Sequence, residues 1–423
     1  MISKYHRESG IKISSLIFIA FAIAFFSRIF IPLGFPKAIN FFHFIIVLLV
    51  FFVSLNKNQR ELRIYYIGLI LLFCSMAISA VVNQAGIINI VLDMILLSQP
   101  FLLLGAITTS QWTNERIQFF KKLIFYSAML HILISYFQFV VLGYTGDNVD
   151  GVFYNMGAGS HLAGAVALTA GVYFYYTLKP VPLILKPIFF CICLGVVIIS
   201  DSKQVIAVFL LAACLLFLIE KMTFNLVIKS TVIFFITALG LFIISKTIYP
   251  VLFAWLVPEK FFLGLMQKFS VFSIIVSNYD SPFNWFFGLG PGHTIGRLGW
   301  LASDYKDLLM PLGATQSSVT SQILFANETN WISNSITGSS FFSLMFSWAG
   351  IWGDLGLFGT GLYIYLTAIT FKFFCATIMD RFWILVVLVF GFTFSWLEEP
   401  GYMLFLFAII GISWQESNLE PQD

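Results

Sequence analysis

Apolar stretches long enough to cross a bilayer recur along nearly the whole chain. They lie near 13–33, 38–55, 64–83, 87–108, 123–143, 160–177, 184–200, 205–219, 230–250, 354–371, 382–396 and 402–414. A hydrocarbon core about 30 Å thick is spanned by about 17 to 25 helical residues. Inside it no water can satisfy a broken backbone, so such segments must be helices. The pattern predicts an all-α fold: a polytopic transmembrane helix bundle of about twelve spans, with residues 1–423 forming one domain. Charge content agrees, at 10% of residues against about 25% in soluble domains. Mean hydropathy is +0.93. A formal net charge of +3 makes no nucleic-acid footprint. Membrane lipid is the expected surrounding, and no nucleic-acid partner is.

Lys and Arg resist translocation, so their distribution orients the spans. With the N-terminus inside, one face collects Lys4, Arg7, Lys12, Lys57, Arg60, Arg63, Arg116, Lys121, Lys122, Lys372 and Arg381, among others. The short connections on the other face hold only Arg28, Lys37 and Lys203. Both termini are thus expected in the cytoplasm. The apolar run behind Lys4, Arg7 and Lys12 lacks a small-residue cleavage site and continues to Arg28 and Lys37, as an uncleaved first span would. Cys74, Cys191, Cys193, Cys214 and Cys375 fall in apolar segments or at their cytoplasmic ends, where core filling is expected rather than a disulfide framework.

Between the ninth and tenth spans lies the one long stretch that a bilayer would not hold, a large outer loop over 254–353. Phe262, Leu265, Met266, Phe269, Phe272 and Val276 recur at helical spacing within 260–277, which predicts a helix on the membrane surface. Residues 315–340 are rich in Ser, Thr and Asn and are expected to form an irregular lid. Phe341 to Trp352 is expected to return as a Trp-containing re-entry helix. No internal repeat is visible, which counts against a secondary transporter.

Candidate chemistry gathers on the same outer face. Gly288, Gly290 and Gly292 alternate in Gly288-Leu289-Gly290-Pro291-Gly292. They form either a tight surface turn or a loop that offers main-chain N–H groups to a ligand. His293 and Arg297 follow four residues apart and would share one face of a helical turn. A histidine can serve as a base and an arginine can clamp phosphate, while a solvated loop pair is the plainer reading. Lys203 sits in the short turn Ser200-Asp201-Ser202-Lys203-Gln204, where it marks a substrate path or pairs with Asp201. Lys268 stands on the surface helix, where snorkelling is the alternative. Asp93, inside the fourth span, requires a partner or hydration. Asp354 opens the tenth span, a position suited to starting a helix, and is also a candidate substrate-binding carboxylate with the three glycines. His161 begins the sixth span on the outer side, whereas His43 and His131 lie in apolar helices. No His/Cys/Asp spacing suggests a metal site, and no cofactor is expected.

Three stretches together resemble the O-antigen polymerase and O-antigen ligase superfamily of bacterial envelope polysaccharide synthesis. They are the basic outer turn Ser200 to Val205, the surface helix leading from Lys268 into Gly288 to Gly292, and Phe346 to Gly359 with its Asp354-Leu355-Gly356 start. The layout of spans with one large late loop also resembles that family. The resemblance implies a multi-pass protein of the bacterial inner membrane whose loop is periplasmic. It implies a metal-independent glycosyltransferase that polymerises glycan repeat units carried on undecaprenyl pyrophosphate, with a chain-length regulator as partner. Lys203 and Lys268 match positions where the family uses two basic residues, commonly arginines, on the pyrophosphate. Arg297 is expected to assist them and His293 to act as the base. The histidine that ligases carry in the re-entry region is replaced here by Ser343 or Ser347, which counts against ligation to a lipid acceptor. A ligase or a flippase of lipid-linked sugar remains the alternative.

Overall fold

The computed structural model describes residues 13–36, 39, 41–54, 60–154, 159–177, 182, 184–220, 258–333 and 339–419. Among them every regular element is helical and none is a strand. The expected ninth span, 230–250, lies outside the described residues.

Among the described residues six helices are long and apolar enough to cross a membrane: Ile13–Leu33, Glu61–Val82, Ile87–Thr109, Asn114–Val140, Pro258–Ser277 and Ser340–Phe374. Phe42–Phe52, Leu185–Ile199 and Lys203–Ile219 are apolar but shorter. The helical segments Gly159–Thr177, Ile378–Phe390 and Pro400–Leu419 complete the bundle. Many of the large side chains left exposed are apolar, among them Leu218 at 82%, Val81 at 78% and Val140 at 72%. In water such faces would be a liability; against lipid they cost nothing. Ile87–Thr109 is the most buried of the six and packs against Pro400–Leu419 and Phe42–Ser54. Stacked and edge-on rings fill the centre, including Phe21, Phe25, Phe101, Phe405 and Phe407.

Helix ends follow local chemistry. Thr377 and Asp380 exchange hydrogen bonds in a capping box: Asp380 N–H donates to Thr377 Oγ1 at 3.2 Å and Thr377 N–H to Asp380 Oδ2 at 2.8 Å. That satisfies two N–H groups left over where Ile378–Phe390 starts. At this end of the bundle the charges pair locally, Lys121 with Glu416 at 2.7 Å and Arg381 with Glu220 at 2.5 Å. A cleft of about 720 Å³ lies there too, lined by Ser15, Phe18, Ala22, Arg116 and Phe119.

The long stretch after 257 departs from expectation in three places. Pro258–Ser277 is apolar enough to span, not only to lie on a surface. Residues 318–333 form a helix where an irregular lid was expected. The re-entry segment and the next span are one helix, Ser347–Ile369, broken only at Gly356 with φ 64° and ψ −160°. Asp354 therefore sits inside a helix, two residues before its break, rather than at a helix start.

Candidate functional site

The break at Gly356 exists because two backbones meet there. A Cβ on Gly356 would lie 2.4 Å from the Phe286 carbonyl carbon, and one on Gly288 would lie 2.4 Å from that of Asp354. Both glycines also have positive φ, 64° and 70°, which side chains disfavour. The segment 286–294 is thereby laid against the 353–356 backbone. Leu289 N–H donates to the Gly353 carbonyl at 2.8 Å and Gly290 N–H to the Asp354 carbonyl at 3.1 Å. The Asp354 carboxylate takes Gly292 N–H at 2.9 Å, Thr294 N–H at 2.8 Å and the Thr294 hydroxyl at 2.6 Å. The N–H groups of Gly288, Gly290 and Gly292 are thus spent on Asn284, Asp354 and the adjoining helix. As the segment stands, they are folded inward rather than presented to a ligand, and Asp354 is what folds them.

His293 and Arg297 do not share a helix face, because the helix Arg297–Asp304 begins only at the second of them. His293 Nδ1 lies 3.0 Å from the Leu289 carbonyl, which can only accept, so Nδ1 carries the proton. Nε2 then accepts from the Thr315 hydroxyl at 2.8 Å, and Thr315 Oγ1 takes Gly86 N–H at 2.9 Å. Burial holds the imidazole below its ordinary value, partly offset by the Leu289 bond. His293 is a neutral link between the glycine segment and the 83–86 turn.

Arg297 turns the other way, to Glu398-Glu399. Its guanidinium meets Glu399 Oε2 at 2.5 Å and its N–H donates to Glu398 Oε2 at 2.6 Å. On the far side of Glu399 stands Arg28, with Nη2 3.9 Å from Oε1. Tyr305 and Asp150 also act on the Arg28 charge. Arg28, Arg297, Glu398 and Glu399 are all buried, the last completely. Asp93, also buried, lies within electrostatic reach of Asp354 and Glu398. Burial first, then the charge of Asp354, pushes the Glu398 carboxyl up to about 8, against the pull of Arg297.

The two lysines are held in different ways. Lys268 Nζ donates to the carbonyls of Phe341 at 2.8 Å, Ser343 at 3.0 Å and Thr393 at 3.2 Å. It also lies 4.8 Å from the Phe346 ring centre. All three of its protons are committed to main chain, so the ammonium fastens two turns together. Beside Lys203, Gln204 donates to Ser340 Oγ at 2.9 Å, and His161 Nε2 lies 2.8 Å from the same hydroxyl. Lys203 itself pairs with Asp201 at 3.1 Å and is the more exposed of the two lysines. His161 stacks on Phe394, approaches Asp147 at 3.9 Å and leaves Nδ1 without a partner. Ser343 bonds Asn327 at 3.1 Å, while Ser347 bonds the Phe394 carbonyl and takes Leu397 N–H. Both serines hold loops in place.

One short turn, 391–399, therefore receives His161, Lys268, Arg297 and Arg28 from four separate parts of the chain. Glu398 and Glu399 had no place in the site expected from sequence, and Arg28 figured there only as the end of the first span and an outer charge. The available signal was two adjacent acids between apolar spans, a costly placement unless cations are waiting. Compared with known proteins, the chain matches no family model and no curated sequence.

Proposed function

We propose that this chain is a multi-pass membrane glycosyltransferase of about twelve spans, with both termini cytoplasmic and the 391–399 turn facing the periplasm. In this reading it lengthens a glycan on undecaprenyl pyrophosphate, moving the growing chain onto the next lipid-linked repeat unit. One observation carries it: cations from distant segments converge on one turn at one end of an apolar bundle. Beyond the inner membrane a glycosyl donor must arrive attached to lipid, and its leaving group is a pyrophosphate. The acceptor oxygen attacks the anomeric carbon, the bond from that carbon to the phosphate oxygen breaks, and pyrophosphate departs with the electron pair. Fixed cations in a site shielded from water stabilise that charge without reorganising. Arg28, whose ion pair with Glu399 is long at 3.9 Å, and Lys203, at the solvent edge, suit this task, with Arg297 behind them. Lys268 supports the turn instead of touching phosphate. The acceptor proton goes to His161, whose Nδ1 is unpartnered, in preference to His293, whose two nitrogens are engaged.

The test is elongation of purified lipid-linked repeat units by the full chain in proteoliposomes. Long products are expected from the wild type, and short ones from Arg28→Ala and Lys203→Ala proteins that still insert. Normal product length in both variants would sink the assignment. Transfer to an acceptor without a lipid diphosphate would mark a ligase, and movement across the bilayer without lengthening would mark a flippase.

A further inference from the structure

Charge balance at the turn leaves a question that glycosyl transfer does not answer. Around Arg28 and Arg297 lie five buried carboxyl groups: Asp150 and Glu399 act on Arg28, while Glu398 lies within electrostatic reach of Arg297, Asp354 and Asp93. With every one of these groups ionised, negative charges would outnumber positive ones in a medium that tolerates no excess. Protons or a cation must make up the difference. Among the described residues no group of His, Cys, Asp or Glu is arranged to hold a metal ion.

The carboxyls are not equivalent. Asp354 accepts three hydrogen bonds, and Glu399 lies between two guanidiniums. Glu398 Oε1, like Asp93 Oδ2, is buried with neither a hydrogen bond nor an ion pair of its own, whereas Glu399 Oε2, also without a hydrogen bond, has the Arg297 guanidinium at 2.5 Å. Gly296 explains how Glu398 and Asp354 come so close. A Cβ there would sit 3.1 Å from Asp354 Oδ2 and 3.4 and 3.7 Å from the two Glu398 oxygens. The missing side chain leaves the gap in which the two groups face each other. When two neighbouring carboxyls differ this much in donors, one keeps the charge and the other the proton.

We propose that Glu398 is a proton-binding site that sets the charge of the arginine cluster, so that proton uptake at Glu398 accompanies the binding of an anionic diphosphate by Arg28 and Arg297. The diphosphate half rests on the function proposed above; the proton half does not. Glu398 faces Asp354, Arg297, Asp93, Glu399 and the Tyr363 ring. A proton from solvent goes to Oε1, the oxygen without a donor, while Oε2 stays on Arg297 N–H. With Glu398 neutral the cluster is less negative and an incoming anion meets two guanidiniums. Stripped of that proton, it repels the same anion. Linkage makes this reciprocal: the anion must tighten the proton as the proton tightens the anion.

Infrared difference spectra of the detergent-solubilised full chain test the proton half. A carboxyl C=O band is expected to disappear as pH rises through about 8, and this component should be missing from Glu398→Gln. Gly296→Ala, which puts a methyl group between the two carboxyls, should displace its midpoint. A titrating band that neither substitution alters overturns the site. The other half uses inorganic pyrophosphate as probe, by calorimetry in two buffers of different ionisation enthalpy. Wild-type binding should take up a proton that Glu398→Gln does not, and should weaken above pH 8 by about tenfold more per pH unit than in the variant. The probe's own ionisation is common to both proteins. Equal uptake overturns the linkage. Absence of pyrophosphate binding in either protein overturns the arginine reading, and the infrared result then decides the proton site alone.

Discussion

Lys268 and Arg28 are both buried cations at the same end of the bundle, and they are lodged in opposite ways. Lys268 has three protons and three carbonyls to receive them. Arg28 has five donors and pairs with a Glu399 carboxylate oxygen at 3.9 Å, with Asp150 and Tyr305 acting on it from further off. A charge whose donors are all spent is architecture, because no ligand can use it without dismantling the turns it joins. A charge kept near a shared carboxylate, in a long ion pair, is one that a ligand can claim.

Exchanging these cations for neutral side chains should separate the two roles, and the largest effect belongs to Lys268. Lys268→Met keeps the volume but orphans three buried carbonyls, each costing about 1–3 kcal/mol. The detergent-solubilised protein should melt markedly lower, with activity falling as a consequence. Unfolding followed by tryptophan fluorescence measures this, and an unchanged melting temperature would move Lys268 back among the ligand-binding groups. Arg28→Gln should do the reverse. Removing one charge-stabilising donor of this kind lowers turnover by about 10²–10³-fold, while the melting temperature falls less than in Lys268→Met because Glu399 keeps its partner Arg297 at 2.5 Å. A large fall in stability with no specific loss of elongation would erase the contrast.

The apolar periodicity made the helices readable, since repeated stretches of hydrocarbon-crossing length leave the backbone no alternative. Lys203 beside Asp201 was equally open to inspection, being two residues away on a tight turn. What could not be read were contacts set by backbone proximity. Nothing in Gly288 or Asp354 announces that the carboxylate will cap the glycine segment, because the two meet only when Gly288 and Gly356 let their backbones touch. His293 and Arg297 looked like partners by spacing, and the helix start between them sent them apart. Arg28 and Glu399, near opposite ends of the sequence, gave no local sign of meeting.

A smaller effect is expected at Lys203, which already has Asp201 at 3.1 Å and lies nearer to solvent. Lys203→Ala should slow elongation by about tenfold, and the wild-type rate should fall with added salt as screening weakens an accessible charge. Lys203→Arg should retain most of the rate. A salt-independent wild-type rate would group Lys203 with Lys268 as a structural cation.

The smallest effect concerns His293 and appears only in acid. The folded chain keeps this imidazole below its ordinary value near 6.5, so above that pH both folded and unfolded forms are neutral there and the full contribution is present. As pH falls below 6.5 the unfolded chain takes up a proton that the folded chain refuses, and stability declines until the lowered folded value is passed. His293→Gln can still accept from Thr315 and donate to the Leu289 carbonyl without titrating. Melting temperatures measured from pH 7 downward should fall less steeply in this variant than in the wild type. Coincident curves would mean that the link between the glycine segment and the 83–86 turn tolerates a charged imidazole, and that His293 stays available for proton transfer.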